Sequence, residues 1–399
     1  SPVLRAARAV SVTEPIRPES VPAGEWKHNK PGEHLREFTP ETLLDLMERH
    51  GLKFHSSGYP ECPPRQDILS ALFTREDQPT PLPPRMIAGA PRQIILRQGQ
   101  SPGDILSMTR AVHDLKTAFP AWQIDVRTPT PELWENCPDL TPLDEQAQDV
   151  EIINVNYGLT ARENGGAATG IHASNRTGMR FVHAFHECIE TALGVTVPRS
   201  GYTPMLWISD EEKRWTNQVV ATFKTHKPFW LLNAGYKQDN ELKAYPYWQQ
   251  AVDLLNAYFA GRIHIVQIGH AAHRHPTLSG VLSLVGKTSA RQLIRLAWHA
   301  QGILTPLSFP YVLAAALNKP CVCVAGGKEG VPWHIYPNTR YLYTNGALDC
   351  CPWDGCWLGG TKGQCRNLSD GVPRCFRLIT PQMIADGVRM YYDGGRLKL

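Results

Sequence analysis

The 399-residue chain carries 41 Lys and Arg against 37 Asp and Glu, with 42% hydrophobic, 20% charged and 9% aromatic residues. That balance describes a globular chain with room for two domains of roughly 100 to 200 residues, and neither a disordered chain nor a membrane protein. The net charge of +4 is spread without a basic run, so a nucleic-acid surface is not indicated. No apolar stretch approaches the roughly 18 residues of a bilayer span, and SPVLRAARAV lacks the apolar centre of a signal peptide, which makes the cytoplasm the expected address.

Residues 1–91 read as an irregular N-terminal extension packed against the first lobe, because Pro2, Pro15, Pro18, Pro22 and Pro31 interrupt its start and PTPLPP its end. Within it, TPETLLDLMERHG predicts one helix, with Thr39 as cap, Pro40 in the first turn, Leu43, Leu44 and Met47 as apolar stripe and Gly51 as terminator. Regular alternation begins at residue 92. RQIILR predicts a buried strand, DILSMTRAVHDLKTAF a helix and QIDVR the next strand, a βαβ unit that EIINVNYG and MRFVHAFHECIETALG extend. After a transition over 198–227, a second series runs through PFWLLNAG, a helix bearing Trp248, Val252, Leu255 and Phe259, IHIVQIG, ARQLIRLAWHAQ, GILTP, YVLAAAL, CVCVAGG and YLYT. Two such series predict two doubly wound α/β lobes, over 92–225 and 226–345, with ligands at the carboxyl ends of their strands.

Four strand-to-helix turns could carry chemistry. GQSPGD, residues 99–104, offers Ser101, Gly103 and free helix N–H groups, with Asp104 as either a base or a helix cap; a GxGxxG fingerprint is absent. NAGYKQDNELKAYPYW places Gly235, Lys237 and Lys243 where a diphosphate could sit, although lysines are usually solvated surface charges. In IGHAAHRHP, His270 and His273 suit hydrogen bonding to a ligand better than a closed metal site, which the spacing does not complete. Ser308 precedes an apolar helix with Pro310 in its first turn.

Five of the ten cysteines fall between residues 350 and 375, in DCCPWDGCWLGGTKGQC and at Cys375. A four-thiolate zinc or iron knuckle over 346–379, a disulfide and plain packing all remain open; for the metal, Cys350, Cys356, Cys365 and Cys375 are the chosen ligands and Cys351 the substitute. TPQMIADGVRMYYDGG then predicts a helix within a terminal segment, 380–399.

Together these turns resemble a family. ILRQGQSPGDILSMTRAVHDLKTAFPAWQIDV resembles the opening strand, S-x-G-D turn and helix of the heptosyltransferases, glycosyltransferase family nine. NAG with KAYP, VGKTSARQLIRLAWHAQGIL and LAAALNKPCVCVAGG resemble that family's later segments in the same order, so the likeness covers roughly residues 92–345. It implies a GT-B fold of two Rossmann-like lobes and an inverting transfer of a heptose or related sugar from a nucleotide-diphosphate donor to a saccharide, protein or other hydroxyl acceptor. Asp104 would match the catalytic base and Lys243 the lysine on the donor diphosphate, with no metal in the chemical step. In the GT-B fold that the resemblance implies, a terminal helix often crosses back to the first lobe. The cysteine segment resembles the iron-binding finger of the autotransporter heptosyltransferases. Leu307 to Val312 depart from the family's D-T/S-G-x-x-H pattern, keeping only Ser308, and His270 and His273 stand where a ribose-binding glutamate is expected. A non-catalytic nucleotide-sugar binding module and a sugar-nucleotide epimerase or hydrolase are the alternatives, and assembly as a homo-oligomer is left open.

Overall fold

The computed structural model describes residues 91–157, 180–238, 241–352, 355–356 and 365–399, and the backbone of three strands before them. The chain divides into two compact units, residues 1–86 and 87–399. In the first unit, β1 (Ala9–Pro15), β2 (Leu52–Gly58) and β3 (Ile68–Arg75) form an antiparallel sheet in the order β1-β3-β2. The extension read as irregular therefore contains a sheet. Its strand segments, such as AVSVTEP and ILSALFTR, are short runs, and the prolines around them mask their pattern. The helix expected over 39–51 lies outside the described residues.

The second unit holds two parallel sheets and a small antiparallel pair, Leu368–Ser369 with Val372–Pro373. In the first lobe β4 (Gln93–Arg97), β5 (Gln123–Arg127) and β6 (Val150–Asn154) pair in the order β5-β4-β6. Helices α1 (Pro102–Ala118) and α2 (Phe181–Leu193) pack beside them. Ile94, Ile95 and Leu96 are fully buried, as an unbroken apolar run in a parallel strand requires. Gly194 ends α2 at φ 67°, a left-handed cap that favours glycine.

The second lobe orders its six strands β12-β11-β10-β7-β8-β9: β7 (Phe229–Asn233), β8 (His264–Ile268), β9 (Leu282–Ser283), β10 (Gly302–Pro306), β11 (Cys321–Gly326) and β12 (Thr339–Tyr343). All its pairings are parallel. Its helices are α3 (Trp248–Phe259), α4 (Ala290–His299), α5 (Phe309–Ala316), a single turn α6 (Val331–His334) and α7 (Pro381–Asp393). Cys321 and Cys323 are wholly buried on β11, as two small apolar side chains on one strand face should be.

The terminal helix α7 packs on the second lobe, against α3, β11 and β12. Its stripe of Ile384, Val388 and Tyr391 joins Trp230, Trp248 and Phe259 in one apolar cluster. Gly387 lets the helix approach β11, since a Cβ there would lie 3.2 Å from the Val322 methyls. The Trp230 indole donates to the Tyr392 hydroxyl at 2.8 Å, fixing the helix further.

The other core runs without interruption from Ile94 and Leu115 in the first lobe to Tyr311, Cys323 and Trp333 in the second. Helices α1 and α5 meet across the seam, Phe181 lies 5.2 Å from Trp333 ring to ring, and Arg180 donates to Ile335 O at 2.7 Å. Farther along, Arg291 is 5% exposed and clamps Glu212 through two bonds of 2.6 and 2.7 Å, while also donating to Glu132 O and Trp207 O. Burial works to raise the Glu212 carboxyl, but Arg291, the Ser209 N–H and Arg295 outweigh it and hold it at about 2.

Candidate active site

The turn GQSPGD opens α1 at the seam between the lobes. Asp104 Oδ2 accepts from the Ser101 N–H at 3.1 Å, so the residue does cap its helix, and it faces charges from the second lobe at the same time. Burial raises its carboxyl to about 6, against the lowering effect of the Ser101 N–H and the charges of Lys243 and His334. At neutral pH such a group is ionised yet basic enough to take a proton from a hydroxyl. Ser101 Oγ accepts from Lys237 Nζ at 3.3 Å, a bridge between the lobes at the same point. Gly103 makes close packing across the seam: a Cβ there would sit 3.6 Å from Phe309 Cα.

Lys243 ends a short 3-10 turn, Glu241–Lys243, ahead of α3. Its Nζ lies 3.1 Å from Glu329 Oε1, and Glu329 Oε2 lies 2.9 Å from His334 Nε2. Burial works to raise the Glu329 carboxyl, but Lys243 and then the hydrogen bond and charge of His334 overcome it and hold the group well below the usual carboxylate range. Neither Glu329 nor His334 stood out in the sequence, because KEGVPWHIYP has no periodicity. The available signal was position: the segment follows CVCVAGG at the carboxyl end of a parallel strand, where ligands bind. Tyr157 belongs to the same crevice; burial pushes its phenol up, and Asp104 and Glu329 add to the effect.

The remaining expected residues separate. Gly235 is required by His275, whose ring a Cβ would meet at 2.2 Å; Gly269, at φ 154°, accepts the same ring from the other side. The third histidine of IGHAAHRHP is thus wedged between two strand ends, with its Nε2 2.9 Å from His270 O. His270 and His273 lie outside it with ring centroids 5.3 Å apart, and His270 Nδ1 accepts from the Ala272 N–H at 3.1 Å. The Ser308 hydroxyl is spent on the strand ends: it accepts from Asn233 Nδ2 at 3.1 Å and bonds Pro306 O at 3.1 Å. Away from the crevice, a cavity of about 480 Å³ lined by Trp207, Lys213, Trp298 and Asn318 carries no carboxylate.

The cysteines gather behind the crevice. Cys351 is central: its thiol contacts those of Cys356 and Cys375, and Cys350 Sγ lies 3.8 Å from it. Asn367 joins the group, donating to Cys350 Sγ at 3.5 Å and accepting from Cys365 Sγ at 3.7 Å. The hydrogen bond from Cys351 lowers the Cys375 thiol to about 7 against the effect of burial. A Cβ on Gly327 would fall 2.6 Å from Cys351 Sγ, so that glycine admits the cluster against the end of β11. The donor set is that of a thiolate metal site, although among the described residues no three of these side chains stand in ligating geometry.

Two parallel-sheet lobes joined along a seam match known structures in fold. No protein-family model matches the sequence, and no curated protein matches it. A glycosyl transferase family 9 structure from Veillonella parvula aligns over 76% of this chain and 98% of its own, at 13% identity and a TM-score of 0.53. The iron-containing dodecameric glycosyltransferase TibC from enterotoxigenic E. coli aligns over 76% of this chain and 77% of its own, at 15% identity and a TM-score of 0.55. The chain has the fold of the family 9 glycosyltransferases. TibC has also been solved as a heptosyltransferase with ADP-D-beta-D-heptose, and that structure aligns at 14% identity, TM-score 0.55, over 76% of each chain. In this GT-B frame Asp104 opens the first helix of the first lobe, and Lys243 and Glu329 follow strands of the second. No helix among the described residues is long and apolar enough to cross a membrane.

Proposed function

We propose that the chain is an inverting glycosyltransferase that moves a heptose or related sugar from a nucleotide-diphosphate donor to an acceptor hydroxyl, with Asp104 as general base. The observation that carries this reading is Asp104 itself: a carboxyl raised to about 6 at a helix start, facing Lys243 across the seam. The acceptor oxygen attacks the anomeric carbon while Asp104 takes its proton. The bond from that carbon to the diphosphate oxygen breaks, and its electron pair leaves on the diphosphate. A single displacement inverts the anomeric carbon, and Lys243 meets the departing charge. Lys237, His270 and His273 lie on the rim and suit contacts to the donor's outer parts; Gly235 and Ser308 serve by shaping the strand ends.

The cysteine cluster is read as a structural zinc or iron knuckle; the sequence points to Cys350, Cys356, Cys365 and Cys375, and the contacts of the Cys351 thiol with Cys356 and Cys375 favour bringing this substitute into the set, with Cys350 or Cys365 completing it. TibC is an iron-containing protein of the same fold, which supports the reading. Bound metal would close the loop and add folding free energy without entering the reaction. Metal analysis of the purified protein beside Cys351→Ser tests it, and an equal metal content in both would remove Cys351 from the set.

To test the reaction, nucleotide sugars are screened by thermal shift, and the stabilising donor is incubated with candidate acceptors. A glycosylated product with inverted anomeric configuration supports the reading. Free sugar or an isomerised donor alone would point to a hydrolase or epimerase.

A further inference from the structure

On the resemblance, Lys243 and helix N-termini meet the donor diphosphate, and neither Glu329 nor His334 has a task. Yet Lys243 already has a partner. The two oxygens of the Glu329 carboxylate take separate donors, Lys243 Nζ at 3.1 Å and His334 Nε2 at 2.9 Å, much as two oxygens of a phosphoryl group would. Glu329 and His334 are each less than a tenth exposed, and Lys243 keeps 24% of its side chain open to solvent. The other ring nitrogen, His334 Nδ1, is buried without a hydrogen-bond partner among the described residues, so this imidazole has bonding capacity left for a ligand.

The main chain carrying Glu329 is braced from behind. Asn345 Nδ2 donates to Glu329 O at 3.1 Å, and the Cys356 N–H donates to Gly327 O at 3.2 Å. Gly355 presses on the same loop, where a Cβ would fall 2.6 Å from Lys328 O. The backbone is held by the cysteine turn, and the freedom left belongs to the Glu329 side chain.

We propose that Lys243 and His334 together form the seat of the donor diphosphate, and that the Glu329 carboxylate is a resident counter-ion that fills this seat until a phosphoryl oxygen displaces it. The seat lies past the carboxyl end of β11 and beside Asp104, where the leaving oxygen of the proposed displacement would stand. The exchange is ionic and breaks no covalent bond. It keeps Lys243 neutralised in the empty crevice and weakens the hold on the nucleoside diphosphate after transfer. The inference rests on the donor reading above.

Calorimetric titration of the full chain with inorganic pyrophosphate and with ADP, UDP and GDP tests it. Glu329→Gln removes the competing charge and should bind pyrophosphate about tenfold tighter, a modest fraction of the attraction between unit charges near 4 Å at a protein surface. Glu329→Asp should fall between it and the parent, and His334→Gln and Lys243→Met should bind about tenfold more weakly. A residue serving only to support the loop would give weaker binding when changed, so weaker or equal binding by folded Glu329→Gln overturns the proposal. If that variant does not fold, Glu329→Asp decides by the same sign. Parent protein that binds no diphosphate at all ends the donor reading together with this one. Binding that His334→Gln leaves unchanged ends this inference alone.

Discussion

Asp104 on the first lobe and Glu329 on the second are two carboxylates of one crevice, and their surroundings drive them in opposite directions. Burial lifts Asp104 to about 6, because only one backbone N–H and more distant charges work against it. Glu329 is at least as well hidden, yet Lys243 and His334 touch it directly and keep it ionised. The difference teaches that burial alone does not decide a carboxyl's behaviour; directly bonded partners do, and two neighbouring acids can thereby be given two tasks.

The comparison breaks first at Asp104. Asp104→Asn keeps the shape and loses the basicity, so kcat at saturating donor should fall about 10²–10⁴-fold with donor affinity retained; a rate within a few-fold of the parent would end its role as base. In the parent, kcat/KM should decline as pH falls through about 6, where Asp104 takes up a proton.

A third carboxylate sharpens the contrast. Glu212 is held low like Glu329, but by Arg291 and Arg295 of α4, where it joins elements. Arg291→Met leaves Glu212 to Arg295, Asn136 and the Ser209 N–H, and should cost less than the roughly 3–5 kcal/mol of a fully broken buried pair, about 2 kcal/mol in urea unfolding, with the donor affinity of the folded fraction unchanged.

The smallest effect has the most telling sign. Asp104 has an ordinary value of 3.8 and is raised to about 6, so the folded protein holds the proton more tightly than the unfolded chain does. Its ionisation therefore costs stability, fully above about pH 6 and not at all once pH falls below 3.8. Asp104→Asn should be more stable than the parent by about 1 kcal/mol at pH 7, after discounting for its solvent contact, and no more stable near pH 4. Urea unfolding at the two pH values reads both, and a less stable variant at pH 7 would make Asp104 a structural cap before anything else.

Much of this was legible because periodicity is local. QIDVR and GILTP form strands over their whole predicted lengths, and α1 begins where SPGD announces a helix start. Asp104 drew notice in the sequence because it sits at a junction that the alternation exposes. Glu329 and His334 stayed hidden in an aperiodic loop, and their meeting with Lys243 spans more than 80 residues of chain. The Arg291–Glu212 clamp has the same character, two ordinary surface-type residues made meaningful by a fold that no local pattern predicts. At Gly235 the sequence suggests a phosphate turn, and the structure adds a second demand that no local pattern carries, room for the ring of His275. For the terminal helix, the stripe announces that it packs without saying on what.

The seam between the lobes bears on how molecules come and go. Phe181 against Trp333, α1 against α5, and Arg291 reaching from α4 to Glu132 O give the two sheets a common interior. Swinging the lobes apart like the covers of a book would wet that interior and pull a buried guanidinium off its partners. Traffic through the crevice is then a matter for the short loops at its mouth, around Lys237, His273 and Glu329. The pace of turnover would be set by the restlessness of a few side chains on a rigid body.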